Sequence, residues 1–254
     1  MSTHVVCYDP HAHYKHHNNR AEWLGKLILD VKPDVVIIGG DVADMPSLSG
    51  YDKGKRSFQG RTYRADIDSH NDFQDRLWST VRKSKRRMPR RVSLIGNHEQ
   101  RIDRAIEVQP ELEGTVSYND LELARYYDDI VHYTGSTPGT IEIDGVHYAH
   151  YFVSGVMGRA IGGEHPAYSL LTKKYASCTQ GHSHVYDHCF RVRADGRAIF
   201  GLVAGVFTDY SSDYAGEVND LWWQGCFVKR NVDRGAYDLE AVSMDRLRKE
   251  YSGR

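Results

Sequence analysis

The chain has 254 residues, 40% of them hydrophobic and 26% charged, which fits one sizeable globular domain over residues 1–254. A formal net charge of -1 supplies no global field toward nucleic acid or anionic membranes, so any such affinity must be local. No apolar run reaches the length of a membrane span, and Met1-Ser2-Thr3-His4 does not open a basic-then-apolar leader, so a soluble, unsecreted chain without membrane partners is expected.

The first half alternates strand and helix patterns, the signature of βαβ units and a layered α/β core. His4-Val5-Val6-Cys7-Tyr8 reads as a strand running into Asp9-Pro10-His11. Asn18 or Asn19 then caps a helix with Trp23, Leu24, Leu27, Ile28 and Val31 at helical spacing, stopped by Pro33. A second strand, Val35-Val36-Ile37-Ile38, ends on Gly40-Asp41. Residues 45–68 read as a long polar loop with three glycines, and such loops are usually functional or mobile. A helix is expected over about Ser69 to Arg87 with Phe73, Leu77 and Val81 buried, followed by the strand Val92-Ser93-Leu94-Ile95 and Gly96-Asn97-His98-Glu99.

From Gly139 the pattern turns to strands. Thr140–Ile143 and Val146–Ala149 flank Asp144-Gly145 as a hairpin, His150 follows, and a helix is expected over Ala167–Lys174. Tyr175-Ala176-Ser177-Cys178-Thr179 runs into Gly181-His182-Ser183-His184, and further strands are expected near 188–192, 198–203, 226–230 and 236–242. Cys7, Cys178, Cys189 and Cys226 show no Cys-x-x-Cys pairing and read as buried free thiols in a reducing compartment.

Five polar motifs thus sit at the ends of apolar runs, where an open α/β sheet gathers its functional loops. In their order, Asp-x-His, Gly-Asp, Gly-Asn-His-Glu, His and Gly-His-x-His, they resemble the calcineurin-like metallophosphoesterases over Asp9 to His184. Ala204-Gly205-Val206-Phe207 and Trp222-Trp223-Gln224-Gly225-Cys226-Phe227 are similar to the closing strands of small phage-encoded members. The resemblance implies a layered α/β/β/α sandwich of two mixed sheets flanked by helices. It also implies two divalent ions, from Mn, Fe, Zn, Co or Ni with Mn favoured, since mixed Asp, His and Asn donors suit all five.

Carried over by motif, Asp9, His11, Asp41 and His184 hold the first ion, and Asp41, Asn97, His150 and His182 the second, with Asp41 bridging. His98 is cast as general acid or charge stabiliser, and Glu99 as the group that orients His98 or holds its loop. Gly40, Gly96 and Gly181 are expected to let the chain turn sharply. The fourth motif departs from the family's His-Gly, reading His150-Tyr151, and His147 stands three residues earlier on the opposite strand face; His150 is preferred because it lies at the strand end.

The implied activity is hydrolysis of a phosphomonoester or phosphodiester, with nucleotides or nucleic-acid ends as favoured partners. Its compartment would be the cytoplasm, the host's if the gene is viral. A non-catalytic interaction module on the same fold is the alternative, and filled ligand positions argue against it. A phosphoprotein phosphatase is disfavoured because no Arg-Gly follows Gly40-Asp41. Tyr51 to Arg64 interleaves aromatics with cations, the pattern that stacks bases and tracks phosphates. Arg82-Lys83-Ser84-Lys85-Arg86-Arg87 reads as a solvated helix end, His13, His16 and His17 as a polar loop with His13 near substrate, and Arg101 or Arg104 as a phosphate contact or a surface ion pair.

Overall fold

The computed structural model describes residues 1–84, 87–212 and 215–253. In chain order the elements are β1 (Ser2–Cys7), α1 (Asn19–Val31), β2 (Val35–Ile38), α2 (Tyr63–Lys83), β3 (Arg90–Leu94), α3 (Arg101–Val108), α4 (Leu123–Tyr126), β4 (Asp129–Val131), β5 (Thr140–Ile143), β6 (Val146–Ala149), β7 (Val153–Ser154), β8 (Arg159–Ala160), α5 (Pro166–Lys174), β9 (Ser177–Gln180), β10 (Tyr186–Val192), β11 (Ala198–Ala204), β12 (Gly225–Asp233), β13 (Ala236–Ser243) and α6 (Met244–Tyr251). β3 and β4 extend a parallel run that starts with β1 and β2, and antiparallel β12 and β13 complete a six-stranded sheet in the order β13-β12-β1-β2-β3-β4. The second sheet has five strands in the order β10-β11-β9-β6-β5, parallel at β11/β9 and β9/β6 and antiparallel at both edges.

The two-residue period of β1 and β2 divides the core into layers. Val5, Cys7, Val36 and Ile38 face α1, α2 and α6, together with Leu24, Phe73, Leu77, Trp78 and Leu247. Val6, Tyr8, Val35 and Ile37, with Phe227 of β12 beside them, face the second sheet, against Tyr148 and Leu202. On the far side, Cys178 and Val203 pack on Ala167 and Leu170 of α5. The result is the α/β/β/α sandwich of two mixed sheets flanked by helices. Among the described residues no helix is long and apolar enough to cross a membrane.

Two boundaries differ from the sequence reading. α2 begins at Tyr63 rather than Ser69 because the Thr62 hydroxyl caps it, accepting from Ala65 N at 3.3 Å. The polar loop therefore ends at residue 62, not 68, and holds two short 3₁₀ turns, Pro46–Leu48 and Arg56–Phe58. Within it Arg61 pairs with Asp52 at 2.7 Å and lies over the Phe58 ring, so these side chains engage one another. α2 ends at Lys83 and not Arg87; Lys85 and Arg86 of the basic segment lie outside the described residues. All four cysteines are free, but Cys189 is only half-buried.

Candidate metal centre

Five loops converge where parallel strands of both sheets reach their carboxyl ends: Asp9 after β1, Asp41 after β2, Asn97 and His98 after β3, His150 after β6, and His182 and His184 after β9. Main-chain bonds knit the first two, with His11 N donating to Asp41 O at 2.9 Å and Ala12 N to Val42 O at 2.6 Å. Asp9, His11, Asp41, His182 and His184 all take positive φ, from 43° to 68°. Side chains rarely adopt that region, and such strain collects where function requires a particular side-chain direction. Gly40 supplies a turn at φ 92°. Gly96 and Gly181 do not have positive φ; a Cβ on them would strike Asp41 Oδ1 at 2.1 Å and Asp9 Oδ2 at 2.4 Å, so they make room for carboxylates rather than for turns.

Two donor groups result. Asp9, His11 and His184 present atoms within 4.8 Å of one another, as do Asp41, His150 and His182. Asp41 reaches both sides: His11, Asp41 and His98 form a third such group. Asn97 Oδ1 completes the second group, 2.8 Å from both His150 Nε2 and His182 Nδ1. Of the rival histidines, His150 is fully buried with Nδ1 bound to Gly39 O at 2.9 Å, whereas His147 lines a polar cleft at the opposite end of the strands.

A cation fits this donor set. His11 Nε2 and His184 Nε2 face each other at 3.1 Å, and Asp9 Oδ1 is buried without a hydrogen-bond partner. Burial raises the Asp9 carboxyl despite its neighbour His150, and burial together with His11 pushes His184 well down. Burial, reinforced by His150, lowers His182 to about 4. For His150 burial acts downward, but the Asp41 carboxylate outweighs it and lifts the imidazole to about 10. Opposing its own burial, Asp41 is held well below the carboxylate range by His150 and His98. The unpaired Asp9 oxygen and the neutral His182 and His184 rings, gathered out of water, are groups that a divalent ion would satisfy, and such an ion would take the place of the proton on His150.

His98 stands beside these groups. Its Nδ1 lies 2.7 Å from the Asp44 carbonyl and 3.1 Å from Asp44 Oδ1, which places a proton on Nδ1. Its Nε2 accepts from Arg101 at 2.9 Å and lies 3.8 Å from Asp41 Oδ2. Arg101 also donates to the Asp44 and Met45 carbonyls at 2.8 and 3.0 Å, and Arg104 to Gln100 Oε1 at 2.9 Å, and among the described residues neither makes the surface ion pair considered from sequence. Glu99 does not touch the His98 ring. Its carboxylate accepts from the main-chain N–H of Asp41, Ala43 and Gly96 at 3.0, 3.0 and 2.9 Å, tying the second motif to the third.

Sequence reading missed three contributors. Asp44 contacts both His98 and His11, the latter at 3.3 Å; its spacing of three from Asp41 was the available signal. Fully buried Arg20 uses every donor of its guanidinium, on Pro10 O, His11 O, His17 O, Phe207 O and Asp209, and so fixes the loop of Asp9 and His11. An arginine on the apolar stripe of α1 betrayed it. The third is an aromatic rim: Tyr151 lies 4.6 Å from the His182 ring, Trp222 4.3 Å from His184, and Tyr210 donates to His11 O. His13 stacks on Tyr14 at 4.5 Å with Nε2 3.8 Å from Asp44, at the edge of the crevice.

No family model and no curated protein matches this chain. Among solved structures it is similar to the protein TT1561 of Thermus thermophilus, with a TM-score of 0.41 and 13% identity over 95% of this chain and 98% of that one.

Proposed function

We propose that this chain is a dinuclear metal-dependent phosphoesterase of the calcineurin-like family. The observation that carries the reading is the pair of donor groups on either side of Asp41, assembled from strand ends of two sheets. Asp9, His11, Asp41 and His184 would hold one ion, and Asp41, Asn97, His150 and His182 the other. Two divalent ions there would supply Lewis acidity toward phosphoryl oxygens and lower the pKa of water.

The remaining work falls to the chain's own groups. Asp44 keeps a proton on His98 Nδ1, so Nε2 is the atom that exchanges a proton with the leaving-group oxygen. A substrate oxygen arriving at Nε2 displaces Arg101, whose guanidinium then remains beside it as a cation for the charge building on the phosphoryl group. Glu99 and Arg20 hold the donor loops, so little reorganisation accompanies the reaction. Tyr151 and Trp222 offer aromatic faces at the crevice, which favours nucleotides, nucleic-acid ends or other esters with a planar group.

The test is direct. Protein saturated with Mn is assayed on a mono-ester and a bis-ester aryl phosphate, then on nucleotides and on oligonucleotides with defined ends, with bound metal measured by elemental analysis. Two ions per chain, hydrolysis lost on chelation, and loss of both ions in Asp41→Asn are expected. At most one ion at saturation ends the dinuclear reading; two ions with no hydrolysis of any ester make the chain a metal-binding scaffold.

A further inference from the structure

β10 is one of the two edge strands of the five-stranded sheet, and it exposes the apolar side chains of Tyr186, Phe190 and Val192. Val185 O accepts from Gly205 N at 3.0 Å and Arg193 N donates to Arg197 O at 2.9 Å, so the bonds to β11 run through the odd-numbered residues. Antiparallel alternation therefore turns the main-chain groups of Tyr186, His188, Phe190 and Val192 outward. The Arg191 guanidinium holds one of them, the Phe190 carbonyl, at 2.8 Å. The side chains of the same residues form an exposed stripe, with Tyr186 40%, Phe190 51% and Val192 60% accessible. Soluble proteins blunt or cover such edges.

What covers this one is written in its sequence. Read antiparallel against itself about Cys189, the strand Tyr186-Asp187-His188-Cys189-Phe190-Arg191-Val192 is self-complementary. Asp187 falls opposite Arg191, Tyr186 opposite Val192 and His188 opposite Phe190. We infer that the β10 edge pairs with the same edge of a second copy of this chain, with the two-fold axis at Cys189, joining the two five-stranded sheets into one. This is an isologous contact, the commonest way that identical chains associate. Asp187 meets Arg191 of the partner subunit twice over, on the face that carries α5, while the apolar stripe continues on the other face. With Cys189 at the axis all seven residues of the strand are paired. A slip that moves the axis to His188 puts Asp187 opposite Cys189 and removes both ion pairs.

The full-length chain is examined by sedimentation velocity from about 1 to 100 µM. The expected species is a dimer of two 29.0 kDa chains; a single 29.0 kDa species throughout overturns the inference. Phe190→Pro deletes an outward N–H and the exposed ring while sparing the β11 ladder, and is expected to give a folded monomer. Arg191→Asp gives up only surface contacts, to the Phe190 carbonyl and the exposed Tyr168 ring, and places carboxylates opposite each other; dimer affinity at least tenfold weaker is expected with the fold retained. A dimer insensitive to both substitutions means another surface is used. Cys189 reports the register, because a non-hydrogen-bonded antiparallel pair sets its Cα atoms about 4.5 Å apart, within disulfide range. Diamide, taking two electrons and two protons from the two thiols, is expected to link the wild type and not Cys189→Ser; buried Cys7, Cys178 and Cys226 do not compete. A dimer that fails to link refutes the Cys189 axis.

Discussion

Asp44 Oδ1 lies 3.1 Å from Nδ1 of His98 and 3.3 Å from Nδ1 of His11, so one carboxylate orients both a metal-ligand candidate and the imidazole proposed as acid. Both contacts hold Asp44 well below the carboxylate range, against the upward pull of its burial. His98→Ala should keep both ions and lose about 10² to 10⁴ in turnover on an ester with a poor leaving group, the usual worth of a positioned acid. Asp44→Asn should lower turnover and also weaken metal binding, because it loosens His11. Turnover series paired with metal titrations separate the two; near-normal turnover in His98→Ala would reject its role.

Glu99 is the single acceptor for three buried main-chain donors. Glu99→Ala leaves all three unsatisfied and should cost about 2 to 5 kcal/mol, more than any one hydrogen bond returns. Glu99→Gln should cost less, since an amide oxygen can keep the shared contact with Asp41 and Gly96 and only Ala43 then faces an N–H group. Urea midpoints of the two variants provide the measurement, and an equal loss in both contradicts this account.

His70 on α2 is fully buried, and burial lowers its pKa from 6.5 to about 4. Above pH 6.5 the ring is neutral in folded and unfolded chains alike. As pH falls from 6.5 toward 4 only the unfolded chain takes the proton, so the fold loses about 3 kcal/mol across that window. The stability difference between wild type and His70→Leu should acquire this slope between pH 7 and 4; a difference independent of pH contradicts it.

Lys229 is fully buried between the sheets, its amine donating to Thr179 Oγ1 and lying 4.7 and 4.3 Å from the Tyr148 and Tyr237 rings. Burial pushes its pKa well below 10.5, so at neutral pH the unfolded chain holds the proton more tightly and folding is opposed. Stability then rises with pH toward 10.5. Lys229→Met should stabilise the protein by about 2 kcal/mol at neutral pH, with the gain shrinking as pH approaches 10. Thermal melts across that range are the check, and a destabilised variant would show that the Thr179 contact outweighs desolvation.

The sequence alone determined the layers and the donor types. The unbroken apolar runs of β1 and β2 state that both faces of these strands are buried, because successive side chains of a strand point to opposite faces. The five motifs were legible because chemistry restricts metal donors to few residue types, and the apolar run before each places it at a strand end. Arg20 and Asp44 were legible only as polar positions, and the choice between the two roles expected of Glu99 was not legible either, since what these residues do depends on carbonyls and amides supplied by distant loops. The missed start of α2 at Thr62 has the same origin in small form: one hydroxyl-to-amide contact outweighed the polarity that read as loop. Tertiary structure also decided between His147 and His150. Both are histidines of one short segment, and only the packing of β6 between β5 and β9 turns one toward Asn97 and Asp41 and the other toward the far end of the sheet.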